Sequence, residues 1–168
     1  MTFRPKLKNK IAHNIVLFSL LACALLFVAA KQLNQIQWLF QMVILVLAVL
    51  AIQVLLKYIL SDYIYELRDT NFLIYKIQGK KSVCLCSLSL TQSMCPVMTR
   101  DEFRKRSETL PKHHVSLNYC KNIAPKDEFL YMFDFNGKIT LLLFEPDEIF
   151  VKHMNNIAEQ FIQNRNEE

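Results

Sequence analysis

YIYELRDTNFLIYKIQGKKS, residues 63–82, is the stretch whose periodicity fixes the class of fold. Tyr63, Tyr65 and Leu67 fall on one face and Ile64, Glu66 and Arg68 on the other, the alternation of a half-buried strand. Asp69-Thr70-Asn71 is a turn, Phe72–Gln78 a second strand, Gln78-Gly79-Lys80 a hairpin turn and Ser82–Leu88 a third strand. Working outward, Thr91–Cys95 fits a short fourth strand. The pattern breaks at Pro96, and Thr99-Arg100-Asp101-Glu102 has the spacing of a capping box that opens a short helix stopped by Leu110-Pro111. Val115–Tyr119, Glu128–Phe135 and Lys138–Phe144 supply three more strands, the last two joined by Asn136-Gly137, a strong hairpin signal. Pro146, Asp147 and Glu148 then suit the first turn of a helix running to about Gln163. Its stripe of Phe150, Val151, Met154, Ile157, Ala158, Phe161 and Ile162 must cover something apolar. Seven short strands in meander order and one amphipathic helix predict a mainly β domain, a bent barrel or two-sheet sandwich capped by that helix.

Towards the N-terminus the chain changes character. Of its 168 residues 52% are hydrophobic, and the mean hydropathy of +0.17 is high for an average soluble protein. The excess sits in residues 11–60, where there is no Asp or Glu and the only bases are Lys31 and Lys57. Residues 11–30 and 37–57 each reach across a hydrocarbon core of roughly 30 Å, so a transmembrane helical hairpin is expected, with residues 31–36 as a short extracytoplasmic turn. Trp38 at one end of the second helix and Lys57 and Tyr58 at the other are placed as interfacial anchors. Arg4, Lys6, Lys8 and Lys10 make residues 1–10 a basic N-terminus, and only Lys31 lies in the turn. The positive-inside rule therefore puts both ends of the hairpin, and residues 61–168, in the cytoplasm. Reading the first helix as a cleaved signal, with Val28-Ala29-Ala30 as the cleavage site, leaves that placement unchanged.

Residues 61–168 hold 14 Lys plus Arg against 15 Asp plus Glu, whereas residues 1–60 hold six bases and no acid. The pI near 9.0 thus describes the anchor and not a nucleic-acid surface. Disorder, a large multidomain enzyme and a disulfide-rich secreted scaffold are all disfavoured, and five cysteines in a reducing compartment are expected as free thiols.

Residues 63–82 directly after a helical hairpin, together with NGKITLLLFEPDEIFVKHM at 136–154, resemble bacterial membrane-anchored PH-like (pleckstrin-homology-like) domain proteins. The Tyr-x-Tyr-x-Leu strand, the Gly-Lys-Lys turn and the Phe-Glu-Pro entry to the last helix carry the likeness jointly. It implies a binding or assembly module and brings no catalytic residues with it. Phosphoinositide-binding members of the wider family use a basic cluster around the first hairpin. Here that hairpin reads Arg68-Asp69-Thr70-Asn71, which does not support inositide binding.

Cys84, Cys86, Cys95 and Cys120 with His113 and His114 are the residues from which a metal site or a thiol catalyst could be built. Their spacing favours core thiols, because Cys-x-Cys on a strand lacks the tight turn of a structural zinc site, and no cofactor is expected. Gly79 and Gly137 both belong to hairpins, which leaves no phosphate-cradling loop, and an enzyme is not expected. The densest basic cluster in the domain is Arg100, Arg104, Lys105, Arg106 and Lys112, beside Phe103, in the segment that interrupts the strands. It reads either as a solvated face balanced by Asp101, Glu102 and Glu108 or as a contact for a partner or a lipid headgroup. Within the hairpin, Gln41 and Gln53 are expected to hydrogen-bond between helices, inside one hairpin or between protomers. The function expected is a non-enzymatic, membrane-anchored binding or scaffold module in the cell (inner or plasma) membrane. Its expected partners are the lipid bilayer and a protein or a second copy, with no nucleic acid. The alternatives are a sensor or enzyme using the cysteines with His113/His114, and a lipid-headgroup reader.

Overall fold

The computed structural model describes residues 1–7, 10–32 and 37–166. It divides into two compact units, one of residues 1–6, 62–121 and 125–168, the other of residues 7–61 with 122–124.

The first unit contains two four-stranded sheets. One runs β1 (Thr2–Phe3), β2 (Ser61–Arg68), β3 (Asn71–Gln78), β4 (Lys81–Ser89) in spatial order. The other is ordered β5 (Met98–Thr99), β7 (Phe129–Phe135), β8 (Lys138–Phe144), β6 (Val115–Asn118). The expected alternation is present: along β2, Tyr63, Tyr65 and Leu67 are buried while Ile64 and Glu66 are only half-buried. The tight turns also form where expected, with Asn136 at φ 52° and Gly137 at φ 77°, the left-handed pair that a two-residue type I′ hairpin needs. The C-terminal helix, Glu148–Asn166, starts where Asp147 Oδ1 accepts a hydrogen bond of 2.8 Å from Phe150 N. Its Phe150, Val151 and Met154 join Tyr65, Phe72, Ile74, Tyr131, Phe133 and Phe144 in one core shared by both sheets.

Four expectations for this unit need correction. The described residues contain eight strands, not seven, because Thr2 and Phe3, read as part of a basic tail, pair antiparallel with Glu66 and Tyr65 of β2. Residues 91–95 are not a strand. Ser89 caps a 3₁₀ turn over Leu90–Gln92 by accepting from Thr91 N, and only Ser93 then bridges to Phe133. The order is not a meander, since β6 lies outside β8 and runs parallel to it, Leu117 opposite Leu142. Finally, Phe161 and Ile162 are only half-buried, so the covering stripe of the last helix ends near Ala158.

The second unit is a pair of long apolar helices, α1 (Ile11–Gln32) and α2 (Gln37–Val54), the latter continued by one π turn over Leu55–Ile59. Each is long and apolar enough to cross a membrane. The first extends two residues past the expected Ala30, and residues 33–36 of the expected turn lie outside the described residues, as does Lys8. The π turn is closed by Leu60 N donating to Leu55 O at 2.9 Å, and Ser61 Oγ donates to Leu56 O at 2.5 Å.

Candidate basic face

The helix that carries the basic cluster, α3 (Arg100–Arg106), is too short to persist alone and is fixed at three points. Its start is the expected capping box: Thr99 Oγ1 accepts from Glu102 N at 3.3 Å, and Glu102 Oε2 accepts from Thr99 N at 2.8 Å. Hydrogen bonds donated to the Glu102 carboxylate by Thr99 N and then by Thr99 Oγ1, at 2.9 Å, hold it below its ordinary pKa, with a smaller contribution from Arg106 and Lys105. The second point is Arg100, whose Nε lies 2.7 Å from Glu128 Oε2. That glutamate side chain is only 5% exposed, so the ion pair offsets the burial of its charge. The third is Phe103, half-buried against a second apolar cluster of Cys95, Met98, Leu130, Met132 and Leu141, which Leu110 also covers. Arg100 and Phe103 were expected to face a partner. Phe103, the one apolar residue of α3, turns to the sheet, whereas the Arg100 side chain stays 59% exposed beside its pairing with Glu128.

Arg104, Lys105 and Arg106 remain. They occupy the last turn of α3, where positive charge suits the helix dipole, and all three are exposed. Lys112 is exposed in the irregular segment that follows. Among the described residues none of these four forms an ion pair, and Glu102, two residues before Arg104, is engaged in the cap. The charges of Arg106 and Lys105 still act on Glu102, without an ion pair at close range.

The cysteines do not converge. Cys95 is buried in the second cluster, Cys120 is buried near Glu128, and His113 and His114 are exposed. A register shift between Ile74 and Tyr75 places Cys86 opposite Ile74 and Cys84 opposite Tyr75. Leu85 becomes the extra residue of a bulge, and Lys81–Leu85 are all exposed. Burial pushes the Cys86 thiol up to about 11 and raises that of Cys95, the opposite of what a nucleophilic thiolate requires. Among the described residues no group of three or more His, Cys, Asp or Glu gathers as metal ligands.

Sequence reasoning missed a polar cluster at the start of β2. The Lys121 ammonium, 3% exposed, sits 2.8 Å from Asp62 Oδ1, and Arg4 reaches Asp62 Oδ2 at 2.6 Å. Burial alone would raise the Asp62 pKa, but the hydrogen bonds and charges of Lys121 and Arg4 outweigh it and hold it low. Lys121 N also donates to Glu145 Oε2 at 3.1 Å. No local motif could have signalled it, since its members stand far apart in the chain. In the helical unit, Trp38 is 62% exposed, Lys57 Nζ lies 5.1 Å from the centre of the Tyr58 ring, and Lys31 Nζ lies 5.0 Å from that of Phe27.

Two β-sheets over a common core, closed by a C-terminal helix and preceded by an apolar helical pair, define a PH-like domain with two candidate membrane spans. The chain belongs to the family described as Bacterial PH-like domain (DUF6106), which it matches over residues 4–163, so the family's unit includes both apolar helices. A search of curated proteins finds no match, and a search of solved structures finds none.

Proposed function

We propose that this protein is a non-enzymatic binding or scaffold module held at the cell membrane by a transmembrane helical hairpin, with its PH-like domain in the cytoplasm. The observation that carries the binding role is the basic turn of α3. Arg104, Lys105 and Arg106 are exposed and without ion pairs among the described residues, on a helix fixed by its cap, by Arg100 and by Phe103. A basic face on an anchored helix, without close ion pairs among the described residues, suits an acidic surface on a partner protein, for which complementary charge sets encounter and register. The raised Cys86 and Cys95 thiols weigh against the thiol-dependent alternative.

The orientation is supported by connectivity as well as by charge. Residues 1–6 and 62–121 belong to one folded unit, so a hairpin between them must leave and re-enter on the same side. The basic N-terminal residues favour the cytoplasm for that side. A reporter active only outside the cell, fused after Glu168, should be silent, and activity there would overturn the orientation. Replacing Arg104, Lys105 and Arg106 together by alanine should leave the thermal midpoint unchanged, because exposed charges contribute little to stability. The same variant should lose most of the partner recovered by crosslinking in cells. Full recovery with a well-folded variant would reduce the cluster to a solvated face.

A further inference from the structure

The two apolar helices pack along each other. Ala12 and Ala30 of α1 and Ala51 of α2 are the buried positions, and Cys23 Sγ lies 3.9 Å from Ile44 O. That last contact sets the level of one antiparallel helix against the other. Asn14 stands nine residues before Cys23 and Gln53 nine residues after Ile44, so the two amides lie at the same level. Each is two residues beyond a buried alanine, about 200° round its helix, and so faces away from the other helix. Both are exposed, and among the described residues neither side chain makes a hydrogen bond. The interhelical bond expected of Gln53 is thus not made within the hairpin. In hydrocarbon an amide without a partner is costly, and what relieves it is a second group able both to donate and to accept.

The surroundings of the two amides match. Asn14 lies in a shallow groove with Ile11, Ile15, Phe18 and Ser19, and residues 11, 14, 15 and 18 have the i, i+3, i+4, i+7 spacing of a hole that receives a side chain from a facing helix. The outward face of α2 at that level is Val49, Ile52, Gln53 and Leu56, of the same spacing and all exposed. Each face presents one amide among three apolar side chains, and the α1 groove adds Ser19, whose hydroxyl is already bonded to Ile15 O.

We infer that copies of this chain associate side by side in the membrane, α1 of one against α2 of the next, with the Asn14 amide hydrogen-bonded to Gln53 of the partner subunit. The inference rests on the membrane reading above. A second copy is the occupant these faces favour, because copies inserted in one orientation bring Asn14 and Gln53 to one depth with no sliding. The contact uses a different face on each copy, so it is head-to-tail and propagates to a ring or a row.

The test uses two differently tagged full-length chains expressed together, Asn14→Cys in one and Gln53→Cys in the other, with membranes oxidised by copper phenanthroline. A product carrying both tags is expected at least about fivefold above that of the wild-type pair, whose own cysteines set the background. Two Asn14→Cys chains, or two Gln53→Cys chains, should stay at background. A product no greater than background for the mixed pair, an equal yield from two Asn14→Cys chains, or a product with an unrelated protein in place of the second tag would overturn the inference. Alkaline carbonate extraction separates this failure from that of the membrane reading: a chain released into the soluble fraction sinks both, whereas a retained chain without the mixed product sinks only the head-to-tail contact. As a second measurement, the detergent-solubilised full chain should have a mass above that of a monomer in light scattering, and a monomeric mass would also overturn the contact.

Discussion

Tyr65 joins the two sheets through a single hydroxyl. Its side chain is fully buried, its ring meets Phe144 edge-on at 5.5 Å, and its Oη donates to Tyr119 O at 3.0 Å while accepting from Glu145 N at 3.3 Å. Burial, the largest influence, drives its pKa well above the ordinary tyrosine value, so the hydroxyl keeps its proton and remains a donor. Tyr65→Phe preserves the ring contacts and removes both hydrogen bonds, at a cost of about 1–3 kcal/mol. The thermal midpoint of the detergent-solubilised chain should fall accordingly, and an unchanged midpoint would mean that water takes the place of the hydroxyl. The burial of Tyr65 was legible from the alternation of β2. Its hydroxyl partners were not, because Tyr119 and Glu145 lie far along the chain and nothing local specifies which backbone group a buried hydroxyl will find.

Among the elements, α3 shows what sequence can and cannot report. Its start was legible because a capping box is a four-residue signal, and its basic last turn was legible as composition. The tie between Arg100 and Glu128 was not, since it joins a helix to the entry of β7 across a long sequence separation. Thr99→Ala should remove the cap and cost about 1 kcal/mol, felt mainly in this short helix. Amide hydrogen exchange should then quicken across Arg100–Arg106 while the strands stay protected, and equal quickening throughout would show that the helix is integral to the global fold. The same distinction explains the strands. β2, β3, β7 and β8 announce themselves by period and by tight turns. β1 is two residues long, too short for any period, and the parallel pairing of β6 with β8 is a choice of neighbour that a single strand's pattern does not encode.

At the scale of the molecule, the chain leaves one folded unit after residue 6 and returns to it at residue 62. The arm contributes more than a backbone pair. Phe3 stacks on Tyr65 at 6.3 Å, meets Phe150 at 6.4 Å and packs against the main core, while Arg4 and Lys121 together hold Asp62. A fragment of residues 61–168 therefore lacks an edge strand, an aromatic contact and one arm of a charge cluster. Two soluble proteins separate this arrangement from one in which the arm is incidental: residues 61–168 alone, and residues 1–6 joined to residues 62–168 by a short flexible linker in place of the helices. The linker can be short because Arg4 already touches Asp62. Burial of Phe3 and its ring contacts is worth roughly 1–3 kcal/mol beyond the small contribution of the exposed Arg4 pair. The linked protein should unfold at correspondingly higher denaturant, and Phe3→Ala in it should return the midpoint to that of the bare fragment. If both proteins unfold together and Phe3→Ala is silent, the N-terminal strand adds nothing to the domain, and the same-side argument for the hairpin loses its structural basis.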